Sequence, residues 1–115
     1  MKRKLLAAAL LALTAAGASA QQYPTRNVTM LVPYAAGGPT DTVARVTAQA
    51  MGKPLGQTVV VENRTGAAGS IGAAFIAKSP PDGYTVMVQS TTHVANAHLY
   101  KKLNYDVLKD FIGVT

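Results

Sequence analysis

Cysteine is absent from all 115 residues. Zinc–thiolate sites and thiol chemistry are therefore excluded. Without disulfides the chain must be held by its core. Acids are scarce as well, with five Asp+Glu beside two His. Nothing in their spacing suggests a ligand set, so no metal site is expected. Basic residues outnumber acids 11 to 5, but they are scattered, and the few aromatics do not alternate with them. That pattern argues against nucleic acid as a partner. No internal repeat or low-complexity tract is present. After the first 20 residues, no run is long and apolar enough to span a bilayer.

Those first 20 residues have their own character. Lys2, Arg3 and Lys4 form a positive start, Leu5 to Ala16 an apolar stretch, and Ala18-Ser19-Ala20 a small-x-small site. Together they predict a secretory signal peptide over residues 1–20, cleaved after Ala20, and a periplasmic product. Its removal takes three of the eleven basic residues, leaving eight against five. The remaining 21–115 suffices for one small domain.

Three apolar runs predict strands: Val28 to Val32, Thr58 to Val61 and Tyr84 to Val88. Helical spacing over Asp41 to Met51 places Val43, Ala44, Val46, Thr47, Ala50 and Met51 together, with Gly52, Pro54 and Gly56 as stops. Ile71 to Lys78 predicts a second helix, and Pro80-Pro81-Asp82-Gly83 a turn. Continuous apolar strands, rather than alternating ones, predict a parallel sheet covered on both faces. The order β-α-β-α-β makes this an α/β fold with right-handed crossovers. Such sheets bind ligands beyond the carboxyl ends of their strands. Three loops should meet on that edge: Pro33–Thr40, Asn63–Ser70 and Gln89–Ala95.

The first loop carries Tyr34, Ala35, Gly37, Gly38, Thr40 and Asp41. A glycine turn at a helix start offers free N–H donors and suits a carboxylate or phosphate. No Gly-Lys-Ser/Thr follows, so a nucleotide triphosphate is disfavoured. Thr40 and Asp41 are equally read as the N-cap and first-turn residues of the helix. The second loop has Gly66, Ala67 and Ser70 as backbone and hydroxyl donors. Its spacing is GxxGxxG rather than GxGxxG, and no acid follows the next strand, so a nicotinamide cofactor is disfavoured. Gly72, Ala73 and Ala74 are read as close helix–sheet packing. The third loop offers hydroxyls at Ser90, Thr91 and Thr92, with His93 beside them. His93 has no partner at a catalytic spacing, so no catalytic residue and no cofactor is called. Glu62 and Arg64 are expected to pair; Arg45 and Lys78 are placed on outer helix faces.

These pieces carry a resemblance. Tyr23-Pro24, VPYAAGGPTDTVAR, VVVENRTGAAGSIGA from Val59 to Ala73, PPDGYT, and the stretch from Thr92 to Phe111 resemble the periplasmic substrate-binding receptors of tripartite tricarboxylate transporters, the Bug-type receptors. The resemblance implies a two-domain clamshell that captures a small carboxylate for a membrane permease and is not an enzyme. It also implies a carboxylate held mainly by backbone N–H groups and waters. The loops concerned map onto Tyr34 to Asp41 and Gly66 to Ser70, with Thr91 to His93 as a third contact. Family chains continue further, so residues 21–115 are expected to be the first part of domain 1, with the second domain absent. Two other readings stay open: a fragment of a nucleotide-cofactor enzyme, and a truncated product without binding function.

Overall fold

The computed structural model describes residues 22–114. The expected signal peptide and its cleavage site lie outside them. Three strands form one parallel sheet: β1 (Val28–Val32), β2 (Val59–Asn63) and β3 (Thr85–Met87), in the order β2-β1-β3. Val28 stands opposite Val59, and Thr29 opposite Thr85. Helix α1 (Pro39–Leu55) joins β1 to β2, and α2 (Ser70–Ala77) joins β2 to β3. A third helix, α3 (Thr92–Leu99), follows β3. The expected β-α-β-α-β order is thus present. Among the described residues no helix is long and apolar enough to cross a membrane.

Alternation along β1 assigns the two faces. Val28, Met30 and Val32 pack with Ala44, Ala48 and Val59. Leu31 points the other way, toward Gly72 of α2. With β2 and β3 on opposite sides of β1, the two right-handed crossovers place α1 and α2 on opposite faces. The chain direction therefore switches between β1 and β3, the place where open parallel sheets bind ligands.

Helix α1 differs from its expected form at both ends. It begins at Pro39, whose missing N–H is harmless in a first turn. Gly38 is its N-cap, so Thr40 and Asp41 are first-turn residues and not the cap. It runs through Gly52 and Pro54 and stops only at Gly56, which turns left-handed at φ 64°. The buried stripe is Asp41, Ala44 and Ala48, continued by the partly buried Met51 and Leu55. Val43 and Val46, expected on that stripe, are 59% and 64% exposed. Alanines at the contact let the helix approach the sheet closely, which leaves the bulkier valines outside.

Gly52 sits within this helix and lacks the positive φ that would favour glycine. A Cβ there would meet Gln57 O at 3.4 Å, an ordinary contact. Gly52→Ala is therefore expected to stabilise the protein by about 0.5–1 kcal/mol, through helix propensity alone. Chemical denaturation of the two proteins side by side measures this, and a lower midpoint for the variant would contradict it.

The remaining strand and helix limits move by one or two residues. β2 extends to Asn63, so the second loop begins at Arg64. The polar lead-in is pinned to the Pro80–Gly83 turn. Tyr23 donates its hydroxyl to Gly83 O at 2.6 Å, and Tyr84 accepts the Thr25 N–H at 2.9 Å.

Candidate functional site

The first loop is shaped by a carboxylate beneath it. Asp41 is 2% exposed, although it stands in the first turn of α1. Its Oδ2 accepts the Gly37 N–H at 2.8 Å and the Arg45 Nε–H at 2.8 Å. Its Oδ1 accepts from Asn63 Nδ2 at 2.9 Å, and the same amide donates to Tyr34 O at 3.0 Å. Both oxygens are thus engaged within the protein. The Arg45 bond, then those from Gly37 and Asn63, hold the Asp41 carboxyl far below the usual carboxylate range. Asp41 therefore fixes the loop from behind, tying it to the end of β2. Arg45, expected on an outer face, is exposed along its length yet engaged at its head. Gly37 turns left-handed at φ 81°, which a side chain would resist.

The second loop holds the two non-glycine residues with positive φ found among the described residues. Residues Ala67–Gly69 make a single 3-10 turn, but with positive φ throughout: 45° at Ala67, 52° at Ala68 and 86° at Gly69. It is wound left-handed. For alanine this form costs roughly 1–2 kcal/mol per residue. The bonds that close the turn use the N–H groups of Gly69 and Ser70, donated to Gly66 O and Ala67 O. The N–H groups of Ala67 and Ala68, at its start, are not used by them. Both alanines are exposed. Ser70 follows at once as the first residue of α2, half-buried.

The third loop is gathered by one phenol. Tyr34 OH shares hydrogen bonds with Ser90 Oγ at 2.7 Å and with Thr92 Oγ1, and donates to Gln89 Oε1. Tyr34 and Thr92, both expected at the site, are thereby joined across β1 and β3. Thr91 is exposed beside them at the cap of α3. His93 departs from expectation. Its ring stacks on Tyr105 at 5.8 Å and meets Phe111 edge-on at 4.7 Å. It lines a groove of about 760 Å³ beside β3, together with Val86, Met87 and Ile112. Burial pushes its imidazole below the ordinary histidine range. The hydroxyl cluster is thus left without it.

Asn96 was not singled out in the sequence. It is fully buried in α3, and its Nδ2 donates to Ala68 O at 3.1 Å. The third element thereby grips the second loop. Ala35 and Gly66 lie in the first two loops on the same edge, with Gly38 and Thr40 at the start of α1. Arg64 pairs with Glu62 at 2.7 Å, as expected, and lies 3.7 Å over the Phe75 ring. The two arginines nearest these loops in sequence are therefore both engaged. What the edge presents is N–H groups, hydroxyls and helix starts. Such a surface suits a small anion held by hydrogen bonds rather than by a fixed cation.

Comparison with known proteins decides the family. Residues 43–115 match the family described as tripartite tricarboxylate transporter family receptor. The chain belongs to this family. An Agrobacterium vitis relative, the UPF0065 protein in the TAR-I ttuE-ttuC' intergenic region, is 52% identical over 92 residues, 80% of this chain and 27% of its own. The periplasmic binding protein BugD superposes with a TM-score of 0.75 at 47% identity, over 77% of this chain and 30% of BugD. MatC from Rhodopseudomonas palustris, solved with bound malate, gives 0.72 at 45% identity, over 77% of this chain and 31% of MatC. The chain thus spans about 30% of the length of these proteins. Its α/β unit is part of their periplasmic binding protein fold.

Proposed function

We propose that this chain supplies one wall of a cleft that captures a small carboxylate for a membrane permease. It acts by binding, with no chemical step of its own. Residues 1–20 serve as the export signal, and the rest is the first part of domain 1 in a two-domain receptor. The observation that carries this reading is the left-handed Ala67–Gly69 turn, whose Ala67 and Ala68 N–H groups meet no acceptor among the described residues, beside the start of α2. Membership of the receptor family supports it, as does malate in MatC.

In this reading Gly66, Ala67 and Ala68 give backbone donors to the carboxylate and Ser70 its hydroxyl, while Gly38 lets the ligand approach the start of α1. Tyr34, Thr91 and Thr92 border the second end of the ligand or its bridging waters. Asp41 contributes by holding the first loop in shape. A carboxylate here gains charge-assisted hydrogen bonds without displacing a protein anion.

Calorimetry of the full-length protein with malate and with a nicotinamide nucleotide tests the proposal. Saturable heat with malate, weakened several-fold by Ser70→Ala, is expected; the nucleotide should give none. Nucleotide binding with no malate binding would replace the reading by a cofactor enzyme. If malate binds equally well to wild type and to Ser70→Ala, that hydroxyl has no part in the site.

A further inference from the structure

The Ala67–Ala68 backbone needs something to hold it. Isolated alanines fall back to negative φ, and no glycine occupies these two positions. Pro33 and Gln89 lie beside Gly69, but the hydrogen bond to the turn's alanines from outside its own loop comes from Asn96, whose Nδ2–H meets Ala68 O at 3.1 Å. Asn96 is 0% exposed, and its Oδ1 is buried without a partner among the described residues. An unpaired buried acceptor is unfavourable, whereas a leucine of similar shape would fill the site without it. Asparagine at this place is thus poor filler and a good latch. The amide cannot turn round, because its oxygen would then face the Ala68 carbonyl.

We propose that Asn96 is a positioning residue that locks the Ala67–Ala68 turn in its left-handed form and so aims its N–H groups at the ligand. The proposal rests on the carboxylate reading above. Its mechanism is preorganisation. With the latch, the donors are set before the anion arrives; without it, binding must first reverse the turn. The latch also links α3, which follows the hydroxyl loop, to the loop before α2. Movement of α3 therefore reaches the anion site through one hydrogen bond.

Three variants of the full-length protein test this, with malate as the probe: Asn96→Leu, Ala68→Gly and the two combined. Asn96→Leu should weaken malate binding roughly five- to twenty-fold, while leaving the thermal midpoint unchanged or higher. A residue that merely supports the fold would lower both together. Adding Ala68→Gly should restore most of the affinity, since glycine takes positive φ without help. NMR gives a ligand-free readout. The strong intraresidue amide–Hα contacts that mark positive φ at Ala67 and Ala68 should weaken in Asn96→Leu. Their persistence at full strength would overturn the latch. Wild type that shows those contacts yet binds no malate would instead count against the carboxylate reading, and the NMR comparison would still judge the latch.

Discussion

Asp41→Ala is expected to lower the thermal midpoint by roughly 10 °C or more, beyond any other single polar substitution on this sheet edge. The carboxylate is 2% exposed and serves three donors on three segments. Alanine leaves the Gly37 N–H, the Arg45 guanidinium and the Asn63 amide without the one buried acceptor that joins them. Arg45→Ala should matter far less, because its side chain is 53% exposed and solvent takes over. Asn63→Ala should fall between them. Acidity repeats the experiment chemically. The folded carboxyl is held below its ordinary value, so its contribution is complete above about pH 4 and is lost as pH falls below that. Asp106 adds to the same limb, its carboxyl lowered by the Leu108 and Lys109 N–H groups. Asp41→Asn keeps the shape and removes the charge, so it should flatten the acid limb relative to wild type. Thermal melts from pH 3 to 7 measure both effects. Equal midpoints for Asp41→Ala and Arg45→Ala would show that the network is not organised around Asp41.

The strands and their parallel pairing were legible because unbroken apolar runs suit a parallel sheet, although only the central β1 is buried along most of its length, and β2 and β3 stay half-exposed. The three loops followed from chain direction alone. What the sequence concealed lies in side-chain aim. Val43 and Val46 are apolar and spaced for a helix, yet small Ala44 and Ala48 won the contact with β1. A signal for Asp41 did exist: it heads the stripe 41-44-48-51-55, and an acid on a buried stripe implies waiting donors. Asn96 and the left-handed alanines gave no such signal. Their geometry depends on α3 folding back over the second loop, a long-range contact that no local pattern encodes. His93 was misplaced for a related reason. Tyr105 and Phe111 lie 12 and 18 positions beyond it and draw its ring into their cluster.

Gly72→Val is expected to abolish cooperative folding. A Cβ on Gly72 would lie 2.7 Å from Pro33 Cβ, 3.0 Å from Leu31 Cδ2 and 3.1 Å from Arg64 O. None of these neighbours yields easily. Pro33 is a fixed ring at the end of β1, Leu31 is 0% exposed, and Arg64 O is backbone just past β2. Alanine alone forces a shift and should lower the midpoint by several degrees, in line with an overpacking cost of about 1–3 kcal/mol. Valine adds two further methyl groups to the same space, with a stiff χ1 that limits escape. Relief requires α2 to lift from the sheet, which exposes Leu31 and parts the first two loops. The same substitution should therefore remove ligand binding even in any folded remainder. Gly113→Ala is the control, since nothing lies within 4 Å of its added carbon. Soluble yield and a circular-dichroism melt decide the matter. A Gly72→Val protein that melts within about 2 °C of wild type would mean that α2 stands further from β1 than these distances allow. The joint placement of the first two loops would then need another cause.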